Sequence, residues 1–167
     1  MKWLVDGYNV IRRDAELRDR ERAGLEAGRT ALQAMLAGVA REVGDDFVVV
    51  FDGAHRHGAP PSPGRVQTVF SRPPETADDV LRRLALAHRE GAVVVTSDRA
   101  VLDAARRAGA VGVTADAFLD TVRGARAADL DDAEDDEDAG PPRHGPPRRP
   151  SREARAAARV LRRLVKR

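Results

Sequence analysis

Short β-rich runs, each closed by an aspartate, constrain this chain more than any other feature. Met1 to Val5 is apolar apart from Lys2 and stops at Asp6-Gly7. Phe47-Val48-Val49-Val50-Phe51 stops at Asp52-Gly53, and Ala92 to Val95 runs into Thr96-Ser97-Asp98. Continuous apolar runs of this length read as strands buried on both faces. An aspartate at the end of such a strand needs a hydrogen-bond donor, a cation or a metal. The plainer use is a turn aspartate that bonds its own backbone.

Between these runs the periodicity is helical. Leu25, Leu32, Leu36 and Val39 recur at helical spacing within Asp14 to Val43, which predicts a helix or helical pair ended by Gly44-Asp45-Asp46. Arg65 to Phe70 reads as a short strand. Thr76-Ala77-Asp78-Asp79 opens a helix to about Arg89, with Thr76 and Asp79 at capping-box spacing. A helix from Arg99 to Ala108 stops at Gly109. Val111 to Val113 is a short strand, and Thr114 starts a helix to about Arg123. Strands alternating with helices imply an α/β fold, a mainly parallel sheet with helices on both faces. Ala54 to Gly64 reads as a loop, with His55 and His57 as exposed loop residues.

Composition then divides the chain. Residues 1–127 carry the periodic pattern and form one domain. Residues 128–150 do not: Asp129 to Asp138 is almost wholly acidic, and Gly140 to Pro150 is rich in Pro, Gly and Arg. Neither stretch can bury a core, so 128–150 reads as a disordered linker. Residues 151–167 read as a basic C-terminal helix capped by Ser151. Its stripe of Val160, Leu161, Leu164 and Val165 suits docking on the domain or RNA binding. The net charge is only +2, yet it is segregated, and without the acidic run the chain is basic. That balance favours a polyanionic partner. The absence of cysteine excludes disulfides and thiolate metal sites. No apolar stretch is long enough to span a membrane and no signal peptide opens the chain, so the expectation is a cytoplasmic protein without membrane contact.

In a parallel α/β sheet, ligands bind at the carboxyl ends of the strands. Asp6, Asp52 and Asp98 follow strands there, and Asp78 and Asp79 open a helix on the same edge. Two carboxylates about 4 Å apart repel by roughly 4 kcal/mol at an effective dielectric of about 20. Oxygen-only ligands carrying such repulsion suit Mg²⁺ or Mn²⁺. A metal of this kind activates water and neutralises phosphate charge, the chemistry of phosphodiester hydrolysis. Each acid also has a structural use. Asp78 and Asp79 suit a helix N-terminus, Asp98 suits an N-cap, Asp52 suits a turn, and Asp116 sits just inside the last helix of the domain.

Asp6-Gly7-Tyr8-Asn9, Val50-Phe51-Asp52-Gly53, Glu75-Thr76-Ala77-Asp78-Asp79 and Thr96-Ser97-Asp98, in this order, resemble the YacP-type NYN domains of the PIN-like nuclease superfamily. The resemblance covers about residues 1–125. It implies a PIN-like three-layer α/β/α fold and a Mg²⁺- or Mn²⁺-dependent endoribonuclease acting on single-stranded RNA. In some members cleavage of mRNA is linked to the ribosome. Carried over by motif, Asp6, Asp78 and Asp98 would bind the metal. Asp79 would assist through the metal or its water, and Asn9 would orient Asp6 or contact the substrate phosphate. Apart from the resemblance, Arg65, Arg72, Arg82 and Arg83 suit a phosphate track, although solvated helix faces carry arginine routinely. Related domains often carry a further acid about one turn after the position of Asp98. Leu102 stands there in this chain and Asp103 follows, so Asp103 and Asp52 are second-tier candidates.

A dehalogenase-type phosphatase would need a second aspartate where Ala54 stands, and a phosphate receiver would need a lysine near Thr114-Ala115-Asp116. The alternative that keeps the fold is a non-catalytic RNA-binding or ribosome-associated module. Clustered acids beside an anionic ligand argue against it.

Overall fold

The computed structural model describes residues 1–53, 64–131 and 151–165. The expected loop histidines His55 and His57, and the expected linker beyond Asp131, lie outside the described residues.

Among the described residues, five parallel strands form one sheet: β1 (Lys2–Asp6), β2 (Asp46–Phe51), β3 (Val66–Phe70), β4 (Ala92–Val95) and β5 (Val111–Val113), in the order β3-β2-β1-β4-β5. The strand at the N-terminus therefore lies at the centre. Its register sets Asp6 opposite Val50 of β2 and Val5 opposite Val95 of β4. Pleating sends alternate residues to opposite faces. Trp3 and Val5 join Phe47, Val49, Phe51, Val93 and Val95 on one face, while Leu4 joins Val48, Val50 and Val94 on the other.

Among the described residues, seven α-helices cover these faces unequally. The first face carries α1 (Gly7–Arg13), α2 (Ala15–Ala23), α3 (Leu25–Val43), α6 (Ala115–Asp131) and α7 (Arg152–Val165). The second carries α4 (Ala77–His88) and α5 (Arg99–Arg107). The result is the expected three-layer α/β/α arrangement. Trp3 is fully buried between Phe47 and Phe118, as core rather than as a platform for a base.

Local chemistry explains the boundaries. The helix or helical pair expected over Asp14 to Val43 is a pair, α2 and α3, with the short α1 directly before it. Asp14, nearly buried, separates α1 from α2 and caps α2 by accepting from the Leu17 amide at 2.9 Å. Gly44 ends α3 in the left-handed region, which costs a residue without a Cβ little. Thr76 and Asp79 form the capping box in full: each side chain accepts from the other residue's backbone amide.

At the C-terminal side one expectation needs correction and one open choice is narrowed. Helix α6 continues past Arg123 to Asp131, into the start of the acidic run. Helix α7, for which docking and RNA binding were both open, docks: it packs on β5, α6 and α3. Val160 and Leu164 are buried in the same core as Trp3. Deleting this helix would expose that core, so a truncation tests folding before it tests any surface property.

One acid anchors α7. Asp45, only 4% exposed at the amino edge of the sheet, accepts from Arg163 of α7 at 2.9 Å, from Trp3 Nε1 at 3.1 Å and from the Met1 ammonium at 2.6 Å. Burial pushes its carboxyl up, but the bonds from Arg163, the ammonium and Trp3 outweigh it and bring the pKa down to about 2. A depressed carboxyl stabilises the fold above its unfolded value of 3.8 and loses that contribution as pH falls toward about 2. The gap corresponds to about 2 kcal/mol. Asp45→Asn is therefore expected to lose about 2 kcal/mol in denaturant unfolding at pH 7. The deficit should shrink as the pH is lowered from about 4 toward about 2, where the native acid is itself protonated.

A candidate active site at the carboxyl edge of the sheet

Asp6 ends β1 and is at once the N-cap of α1. Its Oδ1 accepts from the Asn9 amide at 3.2 Å, and its Oδ2 accepts from the Thr96 hydroxyl at 2.9 Å. The chain can turn from strand to helix this tightly because residue 7 is glycine. A Cβ at Gly7 would lie 2.2 Å from a carbon of the Phe51 ring. The Asp-Gly pair is therefore a packing requirement as well as a chemical one.

Thr96, completely buried, joins two of the acids. It donates to Asp6, and its oxygen accepts from the Asp98 amide at 3.2 Å. Asp98 caps α5 by accepting from the Val101 amide at 3.0 Å. Asn9 closes the same turn, since its side-chain oxygen accepts from the Ser97 amide at 2.9 Å. The side chain of Asn9 thus holds the segment bearing Asp98, while only its backbone amide touches Asp6. On the other side, Ser71, 1% exposed, donates to Asp52 at 2.6 Å, and Asp52 accepts from the Ala77 amide at the start of α4. In the sequence Thr96 stands only as part of the Thr96-Ser97-Asp98 motif, without a role of its own, and Ser71 is not marked. The only signal was a small hydroxyl directly after a buried strand.

Asp6, Tyr8, Asn9, Arg12, Asp52 and Asp78 line an open cleft of about 350 Å³. The charges communicate across it. Burial raises the Asp6 carboxyl above its usual value, and the charge of Asp78 raises it further, against the lowering hydrogen bonds of Thr96 and Asn9 and the nearby Arg12. Asp78 is raised by partial burial and by the charges of Asp98, Asp79 and Asp52, against Arg82. Asp6 with Asp78, and Asp78 with Asp98, thus stand close enough on this edge for one charge to act on the other. A larger cavity of about 650 Å³ lies between α2, α3 and α6, but its buried acid, Asp14, is paired with Arg123.

Other expected residues stand elsewhere. Asp79 is committed to the capping box and to Arg82, which leaves neither oxygen free and lowers its carboxyl pKa through the bonds from Thr76. Arg82 is spent on Asp78 and Asp79. Arg65 is corrected outright. It precedes β3, pairs with Asp46 at the first residue of β2, and so lies at the opposite edge of the sheet. Asp103 is exposed on α5 and paired with Arg106. Arg72 is exposed just beyond β3, at the carboxyl edge. Asp116 pairs with Arg13 in the structural role expected of it.

Among the described residues, no three His, Cys, Asp or Glu side chains form a ready-made metal cage. The reason is visible in the bonds: Asp6 and Asp98 accept from protein donors, and Asp78 leans toward Arg82 at 3.6 Å. The donor set itself fits a hard divalent cation. It is all oxygen, and Asp6 and Asp78 are each pushed up by burial and by neighbouring acids, a repulsion that a cation relieves. The Ser97 hydroxyl, in the turn that bears Asp98, is buried without a partner among the described residues.

Two substitutions report on this coupling through carboxyl NMR titration. Asp78→Asn removes a negative neighbour and is expected to lower the Asp6 pKa. Thr96→Val keeps the shape, removes the donor to Asp6 and is expected to raise it.

Residues 3–157 match the family described as the YacP-like NYN domain. YacP of Bacillus subtilis (strain 168) is 34% identical over 100 residues, 57% of this chain and 59% of that protein. The matched stretch thus spans less than two thirds of this curated relative. Two crystal structures of Rae1 (YacP) from Bacillus subtilis share the fold. A mutant form gives a TM-score of 0.63 at 29% identity, covering 83% of this chain and 87% of that chain. A second structure gives 0.62 at 28% identity, covering 80% and 83%.

Proposed function

The chain belongs to the YacP-like NYN domain family, and from that premise we propose that it is a metal-dependent endoribonuclease acting on single-stranded RNA. The observation that carries this reading is the pair Asp6 and Asp78. Both are destabilised as anions by burial and by neighbouring acids, in a cleft open to solvent at the carboxyl edge of the sheet. A fold gains no stability from such repulsion, and a site that must hold a cation and an anionic substrate does gain from it.

In this reading Asp6, Asp78 and Asp98 hold a Mg²⁺ or Mn²⁺ ion. The ion supplies an activated water and neutralises phosphate charge when bound. The chain's own residues do the positioning. Thr96 fixes one oxygen of Asp6 and the backbone of Asp98 together. Asn9 holds the turn at Ser97, so Asp98 keeps its place relative to α1. Asp52 and Ser71 fix the start of α4, and with it Asp78. Asp79 serves as the cap that orients that helix rather than as a ligand. The family resemblance supports RNA, mRNA among it, as the substrate class and the ribosome as a partner.

The test is cleavage of single-stranded RNA with Mg²⁺ or Mn²⁺ added, and again after chelation. Activity should require the cation, and Asp6→Asn should lower the rate on the order of 10³-fold. Folding gives a second readout. The raised pKa of Asp6 favours the fold only at low pH, and that contribution is lost as pH rises through the folded value. Ionised Asp6 therefore costs stability at neutral pH, and Asp6→Asn should raise the thermal midpoint while it slows cleavage. Cleavage that survives Asp6→Asn or chelation would overturn the mechanism. RNA binding without any cleavage would identify a non-catalytic RNA-binding module.

A further inference from the structure

The acidic cleft poses a problem for a polyanionic substrate. Its carboxylates repel phosphate, and the arginines nearest Asp78 and Asp79 are already engaged. A substrate phosphate needs a cation close by that is held in place but not neutralised. Arg29 meets that description, although no motif of the sequence includes it.

Arg29 lies half-buried on α3. Its guanidinium carbon stands 5.4 Å from the centroid of Tyr8, 5.6 Å from Phe51 and 5.2 Å from Phe70. Nε donates to the Tyr8 hydroxyl at 2.9 Å, and Nη2 donates to the same oxygen. The rings support one another: Tyr8 meets Phe51 edge-on at 5.2 Å, and Phe51 stacks on Phe70 at 5.7 Å. All three rings belong to the carboxyl edge. Tyr8 is two residues after Asp6, Phe51 directly precedes Asp52, and Phe70 ends β3. Tyr8 also lines the acidic cleft.

Arg29 is held by rings and a hydroxyl rather than by a carboxylate. Arg82, Arg83, Arg106, Arg123 and Arg163 each face a carboxylate. Among the described residues Arg29 has no carboxylate partner, and its hydrogen bonds go to a neutral hydroxyl. Those bonds leave most of its N–H donors uncommitted. Ring faces attract a cation without cancelling its charge. Half-burial strengthens its interaction with an arriving anion, because the surroundings screen less than water does. Arg12 adds a second positive group, 5.8 Å from the same Tyr8 ring, and its charge reaches Asp6.

We propose that Arg29, set in the frame of Tyr8, Phe51 and Phe70, is a phosphate anchor that holds single-stranded RNA beside the acidic cleft. The anchor rests on the ribonuclease reading above and deepens it. It assigns the phosphate-holding role to α3 and the aromatic frame, away from Arg65 and Arg82. Arg29 is a positioning residue. It fixes the strand through a phosphate next to the one that is cut.

The test is binding of a short fluorescein-labelled oligouridylate to the full chain, by anisotropy, in chelator so that nothing is cleaved. The salt concentration is varied from about 50 to about 200 mM. Arg29→Ala should weaken binding about tenfold and reduce the salt slope by about 0.7, one phosphate contact on a single strand. Arg29→Lys should keep the slope and lose part of the affinity, because an ammonium retains the charge but not the planar fork. Thermal unfolding of each variant separates folding from binding. If Arg29→Ala lowers the unfolding midpoint but the folded protein binds with the native affinity and slope, Arg29 is structural and the anchor is overturned. If the unchanged chain fails to bind single-stranded RNA, the ribonuclease reading falls and takes the anchor with it.

Discussion

A carboxylate held at the end of the central strand is the constraint on which the rest of this structure depends. Asp6 follows a strand with neighbours on both sides, and its backbone already begins a helix. Taking a carboxylate out of water costs several kcal/mol unless donors replace the lost solvation. Here the Asn9 amide and the Thr96 hydroxyl replace part of it. The remainder stays unpaid, as the raised pKa of Asp6 records. Each neighbouring feature bears on that residue. Gly7 lets the helix begin beneath Phe51, and Thr96 ties β4 to β1 at the point where both end.

The two edges of the sheet treat the same residue type in opposite ways. At the amino edge Asp45 is almost fully buried, yet it collects donors from Arg163, Trp3 and the N-terminal ammonium and is held down to about 2. At the carboxyl edge Asp6 and Asp78 are more exposed, yet burial holds them up, and further acids nearby add to it where donors do not outweigh it. Burial alone therefore does not decide the state of an aspartate; its partners do. One edge spends its acid on joining α7 to the sheet. The other leaves its acids short of positive charge, beside an arginine that has no acid of its own.

Much of this was legible in the sequence because it is local. The β-rich runs, the Thr76–Asp79 box and the Ser151 cap are patterns within a few residues, and they stand where periodicity places them. Family membership was legible because the acid motifs recur in a fixed order. What was not legible depends on distant partners. The bond from Thr96 to Asp6 spans 90 residues of chain, and that from Gln33 to Thr68 spans 35. Arg65 was misplaced because an arginine count does not say which end of a strand it flanks. Arg29 was missed because its neighbours come from α1, β2 and β3, with only the fold to bring them together. Helix α7 stood undecided because an apolar stripe among arginines suits a groove and a polyanion equally well.

The topology has a consequence for the order of events in biogenesis. Residues 2–6 are made before the strands they pair with, β2 near residue 46 and β4 near residue 92. Parallel strands have no tight turn to nucleate them, so the centre of the sheet waits for chain made much later. Asp6 meets Thr96 only after β4 has been made. A nascent chain that stops short of residue 98 contains the opening motif but no acid site, and its first strand has bare edges open to other partners. The acid cluster is thus withheld until the greater part of its domain exists.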